Sequence, residues 1–357
     1  MAKQGYKEIF EALRREILDG KYDKEKTLPS EFGLARRFKV CRPTVSRAMQ
    51  ELVTAGLVVR RQGAPTTLTR FAQNASGCMG LVIQGRWNER DLYPRVCKRL
   101  IERAERSGWK MIRCEIYATS KRGRLHEVKK IVDRLTAEHV TGVFFQPVEC
   151  MSKSDGVNSD IVARFAKAGI HVVLLDYDVV HLPLRSDYDL VGVDNFAAGY
   201  ALATHFLDRG LKRIAFLRLP DAAPSVMDRE HGVAAAVLAR TGRWVPERNV
   251  VICDPSDAAL VAARLGSSSP QVLIAYNDSA ALALGDSLRR SGRGLGHLNV
   301  AGFDDIPEAA TASPPLTTMR QDVEGLSKLA FHTLVTRIKS PTLPPRKTLL
   351  PCELMAR

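Results

Sequence analysis

The sequence predicts an α/β chain in two parts: an N-terminal winged helix-turn-helix (α+β), then a bilobed domain with two doubly wound parallel sheets. Three observations predict it. A helix-turn-helix pattern followed by a basic hairpin fills the first 70 residues. Strand-like and helix-like patterns alternate from residue 78 onward. That alternation runs to residue 357, too long for one comfortable doubly wound unit, so two lobes are expected. The expected boundaries are 1–70 for the first domain, 71–77 for a linker and 78–357 for the second domain, with lobes of about 78–187 plus 318–336 and 190–316 plus 340–357.

In the first domain, Tyr6, Ile9, Phe10, Leu13, Ile17 and Leu18 fall on one helical face, which is core spacing. Residues 28–63 carry the most information. Ser30 caps a short helix, a sharp turn follows at Lys39–Arg42, and Val45, Met49, Leu52 and Val53 form the buried stripe of a second helix. The opposite face offers Arg42, Thr44, Ser46 and Arg47, side chains that bond phosphates and base edges. Ala55-Gly56 ends that helix, Leu57–Arg60 reads as a strand and Arg61–Pro65 as a tight basic loop. Ser30, Arg36, Arg42, Thr44, Ser46, Arg47, Gln62 and Gly63 are therefore the candidate DNA contacts; the alternative is a charged face that is only solvated. Charge favours DNA. Residues 1–75 hold 15 Lys and Arg against 8 Asp and Glu, an excess of 7 out of a whole-chain +14.

In the second domain, Met79–Gln84, Met111–Tyr117, Val140–Gln146, His171–Leu175, Arg213–Leu219, Val272–Tyr276 and Leu298–Phe303 are short apolar runs with β-branched residues. Helical patterns separate them, and Gly108, Gly169, Gly210 and Gly292 fit left-handed caps before the next strand. Crossing segments between lobes are expected near Asp187–Val191 and Leu316–Asp322. The composition is globular, with 45% hydrophobic and 26% charged residues. No apolar run is long enough for a leader or a bilayer span, so a cytoplasmic protein is expected. Seven scattered cysteines without a Cys-x-x-Cys pair read as reduced thiols and as no metal site. No nucleophile elbow, phosphate loop or zinc-protease motif occurs, and Gly292–Gly296 lies between a helix and a strand, the wrong order for nucleotide binding.

In open α/β sheets, ligands sit beyond the carboxyl ends of the strands. Here those ends carry Asp176, Asn277-Asp278 and Asp304-Asp305, with Arg86 and Trp87 beyond the first strand and Arg229 on a loop-to-helix segment. Carboxylates accept bonds from vicinal hydroxyls, an amide both donates and accepts, and an indole offers an apolar face, a set suited to a small polyhydroxylated ligand. Asp278 and Asp305 read as caps of the helices that follow them. Asp176, Asn277 and Asp304 read as ligand contacts or, alternatively, as ordinary turn residues.

Two resemblances add to this reading. Leu28-Pro-Ser-Glu31, the helix around Thr44-Val-Ser-Arg47, Gly56-Leu57 and the Gly-containing wing resemble the GntR-type regulators over about residues 5–70. The sequence departs from that pattern at Phe32, Cys41, Ser46 and Gln62–Pro65, so no operator sequence carries over. From about residue 78 on, Val193–Gly199, Leu207–Phe216, Asp228–Gly232, Tyr276–Asp278, Val300–Asp305, Pro314–Thr318 and Leu350–Arg357 resemble the effector domain of LacI-type regulators. This implies a periplasmic-binding-protein-like domain that dimerises and binds a sugar or nucleobase-like ligand. Carried over by motif, Asp176, Arg229, Asn277, Asp304 and Gln321 would line the cleft, with Trp87 beside them. The hybrid is similar to arabinose-repressor-type regulators of Gram-positive bacteria. The resemblances together imply a ligand-responsive repressor of carbohydrate utilisation genes, binding double-stranded palindromic DNA as a homodimer, with a small sugar-like effector, no cofactor, no metal and no membrane. The alternatives are a sugar-processing enzyme using Asp176 and Asp304, and a DNA-binding protein without effector sensing.

Overall fold

A computed structural model describes residues 5–18, 21–22, 25–54, 57–60, 63–68, 77–85, 92–149, 156–180, 184–265, 270–290 and 296–357. The expected contacts Gln62 and Trp87, along with Arg86, Gly292 and linker residues 71–76, lie outside the described residues.

The N-terminal unit contains α1 (Tyr6–Leu18), α2 (Glu31–Phe38) and α3 (Arg42–Thr54), followed by the hairpin of β1 (Val58–Val59) and β2 (Thr67–Leu68). Ile9, Leu13 and Ile17 of α1 are buried with Leu34 of α2 and with Val45, Ala48, Met49 and Leu52 of α3. Ser30 caps α2 as the sequence predicts: its hydroxyl accepts the Gly33 N–H at 3.1 Å. Lys39 closes α2 in the left-handed region (φ 53°), which makes the sharp turn into α3. Glu16 then locks α1 to α2. Its carboxylate accepts from Arg37 (2.8 Å), the Tyr22 hydroxyl (2.6 Å) and Lys21 (2.9 Å). The Arg37 bond, outweighing the opposing effect of burial, holds its pKa down at about 2.

The second part carries two six-stranded sheets. In chain order the elements are β3 (Cys78–Gln84), α4 (Leu92–Arg106), β4 (Lys110–Ile116), α5 (Lys121–Ala137), β5 (Val140–Phe145), α6 (Val157–Lys167), β6 (His171–Leu175) and β7 (Asp189–Val193). These are followed by α7 (Asn195–Asp208), β8 (Ile214–Arg218), α8 (Pro224–Thr241), α9 (Pro246–Asn249), β9 (Val250–Ile252), α10 (Ala258–Leu265), β10 (Val272–Ala275) and α11 (Asp278–Arg290). The remaining elements are β11 (Asn299–Asp304), α12 (Pro307–Thr311), β12 (Thr317–Gln321), α13 (Val323–Lys339), β13 (Lys347–Leu350) and β14 (Cys352–Met355). The first sheet runs β13-β7-β6-β5-β3-β4 and the second β14-β12-β11-β10-β8-β9. In the second sheet β12 and β14 pair antiparallel and the other neighbours pair parallel.

The two faces of the second sheet show why its strands read as unbroken apolar runs. Along β8, Ile214 and Phe216 pack with α7 and α8 residues such as Leu202, Phe206 and Val233. Ala215 and Leu217 pack on the other side with Val261, Ala281 and Leu284. A strand covered on both faces has no polar side to alternate with.

The fold class is the expected one, but the lobe boundaries need correction. Asp189–Val193 and Lys347–Leu350 belong to the first sheet, and Thr317–Gln321 to the second. The segments expected as 190–316, 318–336 and 340–357 therefore do not each stay in one lobe. The chain crosses between sheets after β7, after β12 and after β13. The expected crossing segments are strands themselves, and nothing in a local apolar pattern says which sheet a strand joins. Arg337 of α13 fixes the first lobe's edge through a bidentate pair with buried Asp189, at 2.8 and 3.1 Å.

Two glycines set the α7–α8 crossing. A Cβ on Gly199 would stand 2.2 Å from the Arg229 carbonyl oxygen, and one on Gly232 would stand 2.1 Å from that of Phe196. Both obstacles are backbone, so neither can rotate away. Gly232→Ala should destabilise the protein by about 1–3 kcal/mol or more. Urea unfolding followed by circular dichroism checks this, and a variant within experimental error of the parent would show that the crossing has slack.

Candidate functional site

The DNA-facing candidates are distributed over α2, α3 and the hairpin. Arg36 and Arg47 are exposed, Thr44 and Ser46 are half-buried, and Gly63 (φ +76°) sits exposed in the wing turn. The Ser30 hydroxyl is engaged as the cap of α2, so its place here is structural. Arg42 leaves 75% of its side chain exposed, and its Nε donates to Glu31 Oε2 at 3.1 Å. Arg60, at the end of the first wing strand, pairs with the other Glu31 oxygen. Glu31, which the sequence reading did not single out, thus braces a recognition-helix arginine and a wing arginine at once. With Nε engaged by Glu31, the Arg42 side chain still keeps most of its surface exposed. Arg47 lies with its guanidinium 4.1 Å from the ring centroid of Tyr6, which fixes its direction by stacking.

A second cluster forms at the strand ends of the two sheets. Asp176 follows β6 with φ +78°, and Asp304 ends β11 with φ +107°. Such angles are uncommon for residues with a Cβ and cluster where a side chain must be aimed. Gly192 of β7 makes the first possible, because a Cβ there would stand 2.6 Å from the Asp176 carbonyl oxygen. Arg229, on α8, is buried. Its Nε donates to Asn195 Oδ1 (2.8 Å), its Nη1 to the Tyr276 carbonyl (2.6 Å), and its Nη2 stands 3.7 Å from Asp304 Oδ1. Its guanidinium also lies over the Phe303 ring at 4.6 Å.

These groups border a cavity of about 430 Å³ whose wall includes Tyr93, Glu149, Asp176, Arg229, Asn277 and Asp304. Residues from both lobes meet there. Asp176 Oδ1 and the Tyr93 hydroxyl are both buried, and the two side chains face each other. Burial pushes the Asp176 carboxyl up, partly offset by Arg229. Burial also pushes Glu149 up to about 7, reinforced by Asp176.

The structure rearranges several expected roles. Gln321 is absent from that cavity wall; it braces the site, donating from Nε2 to Asp304 Oδ1 at 2.7 Å. Asn277 lines the cavity, and its Oδ1 also caps α11 through the Ala280 N–H at 2.8 Å. Asp278, expected as that cap, is instead fully buried and accepts from Thr318 Oγ1 (2.7 Å) and the Ile306 N–H (3.1 Å). Asp305, also expected as a cap, binds Arg320 (2.7 Å) and Arg357 (2.5 Å). Both carboxyl groups are claimed by sequence-distant partners: Asp278 by Thr318 of β12 and the Ile306 N–H, and Asp305 by two arginines that give charge-assisted bonds. Tyr93 and Glu149 were missed. Glu149 stands shortly after β5, so the strand-end argument applied to Asp176 could have found it.

Among the described residues no group of His, Cys, Asp and Glu has the geometry of a metal site, and no helix is long and apolar enough to cross a membrane.

Residues 5–68 match the bacterial regulatory proteins of the gntR family, and residues 203–357 match the periplasmic binding protein-like domain. The chain is 27% identical over 322 residues to the ribose operon repressor of Escherichia coli strain K12, covering 87% of this chain and 92% of that one. It is 21% identical over 351 residues to the arabinose metabolism transcriptional repressor of Geobacillus stearothermophilus, covering 94% and 91% respectively. Among solved structures, the complex of the transcriptional regulator CelR with cellobiose superposes with a TM-score of 0.67 at 20% identity, covering 92% of this chain and 99% of that one. At that identity the superposition establishes the fold.

Asp278 has a consequence for stability. Burial, with Asp304 adding to it, raises its carboxyl from 3.8 to about 8. The folded chain therefore keeps a proton that the unfolded chain releases, and stability falls as pH rises from the ordinary aspartate range through about 8. Asp278→Asn keeps an oxygen for the Ile306 N–H and can donate to Thr318. The contribution of this group to the melting temperature should drop between about pH 5 and pH 8, and the variant should lose most of that drop; parallel curves for the two proteins would remove Asp278 from the explanation.

Proposed function

We propose that this chain, a GntR-type helix-turn-helix joined to a periplasmic binding protein-like domain, is a transcriptional repressor whose operator binding is set by a sugar held between its two lobes. One observation carries the reading: Asp304, Arg229 and Asn277 from one lobe, and Asp176, Tyr93 and Glu149 from the other, border one cavity. The ribose and arabinose repressors among its relatives are in keeping with a sugar, and all the named relatives support a regulator over an enzyme. The chemistry fits as well. Asp304, braced by Gln321 and Arg229, can accept two vicinal hydroxyls through short charge-assisted bonds.

The mechanism is a population shift. A ligand touching both lobes binds the closed arrangement more tightly, and its free energy of binding draws the protein toward it. The three crossings after β7, β12 and β13 are the hinge. As a homodimer in the cytoplasm, the protein would present two recognition helices to a two-fold symmetric operator, and closure would alter their spacing.

Arg42→Ala should weaken operator binding by about 1–3 kcal/mol and relax preference at one base position of each half-site. Selection from random DNA followed by anisotropy titration checks this; recovery of no symmetric site would sink the dimer reading. Asp304→Asn should lower affinity for an effector found by thermal-shift screening at least tenfold, while ligand-free operator affinity stays at the parent value. Calorimetry with that sugar decides the first half, and unchanged affinity would place the effector elsewhere.

A further inference from the structure

The cavity around Arg229 and Asp304 adjoins a second one at its Asp176 end. Glu149, Asp176, Asp221, Ala222, Ala223 and Ser225 are shared with this second cavity of about 1020 Å³, which extends toward β13 and the start of α7. Asp176 stands at the junction, its Oδ2 accepting weakly from Ser225 Oγ at 3.4 Å and its side chain facing Tyr93. The two compartments differ in character. The first is small and crowded with bonding groups. The second is larger than a single sugar ring needs, since pockets of about 300–1,000 Å³ suit whole drug-sized ligands.

Its wall has the features of a sugar-ring platform. Phe196, in the first turn of α7, is 46% exposed, and Leu184 is 68% exposed. Asp228, His231 and Lys347 stand on the same wall. Burial pushes the Asp228 carboxyl up, with Lys347 and His231 partly offsetting this. An aromatic face with polar groups beside it matches the apolar face and hydroxyl edge of a pyranose.

We propose that the effector is an oligosaccharide or glycoside of at least two rings, one ring bound by Arg229, Asp304 and Asn277 and the next stacked on Phe196, with the glycosidic junction at Asp176. This rests on the effector reading of the preceding section and adds the ligand's size and direction. A monosaccharide fills only the first compartment. It makes none of the contacts to α7 and β13, the elements that flank two of the three crossings between lobes.

The test is calorimetry on the full-length protein with a panel of disaccharides (cellobiose, maltose, lactose, melibiose, xylobiose and arabinobiose) and with glucose, galactose, xylose, arabinose and ribose. At least one disaccharide should bind 100-fold or more tightly than either of its component sugars. Phe196→Ala should then lower the affinity for that disaccharide at least tenfold and leave affinity for the component sugars unchanged. The exposed position of Phe196 makes an unchanged melting temperature the expected control. A monosaccharide that binds as tightly as any disaccharide overturns the proposal while leaving the effector cleft standing. Equal losses for mono- and disaccharides in Phe196→Ala also overturn it. If no sugar of the panel binds, the cleft reading and the two-ring proposal fail together.

Discussion

Arg229 is 6% exposed, and its guanidinium is committed in every direction it points. It holds Asn195 at the start of α7, the Tyr276 carbonyl at the end of β10, Asp304 at the end of β11 and the Phe303 ring face. An uncompensated buried cation is costly, so these partners are obligatory once α8 is in place. The geometry of α8 is in turn fixed by the glycine crossing with α7, where backbone meets backbone. The crossing sets the helix, the helix sets the guanidinium, and the guanidinium sets the carboxylate that a ligand would meet. A cleft organised this way is preorganised on the second lobe's side, and its adjustable part is on the side of Tyr93, Glu149 and Asp176.

The same logic of a side chain holding another recurs in the N-terminal unit. Glu31 bonds Arg42 and Arg60 together, so the recognition helix and the wing share one carboxylate. A surface ion pair contributes little stability. Its worth here is orientation, because the shared carboxylate narrows the freedom of both arginine side chains.

Much of this was legible in the sequence because local physics dictates it. Ser30 as a cap, Lys39 at the turn, the stripe of Val45, Met49 and Leu52, and the left-handed glycines 108, 169 and 210 all follow from neighbours a few residues away. The apolar strands were legible for the same reason. What escaped were facts decided at long range. Asp187–Val191 was expected as a crossing segment because a strand's partner is not written in its own residues. Asp278 and Asp305 were expected as caps because Thr318, Arg320 and Arg357, which claim them, are remote in sequence. Tyr93 lies within a helix, where an aromatic residue ordinarily reads as core, and only the fold brings it to Asp176.

The weave of the chain also governs the order in which the protein can be built. The first sheet needs β13 at one edge and the second needs β14, and these strands come from residues 347–350 and 352–355. Neither lobe can complete its sheet on a ribosome until nearly the whole chain has emerged, whereas the helix-turn-helix and wing are finished by residue 68. A nascent or prematurely ended chain would therefore hold a finished DNA-binding unit beside two sheets with open edges. Competence to sense a ligand is the last property this polypeptide acquires, and affinity for nucleic acid the first.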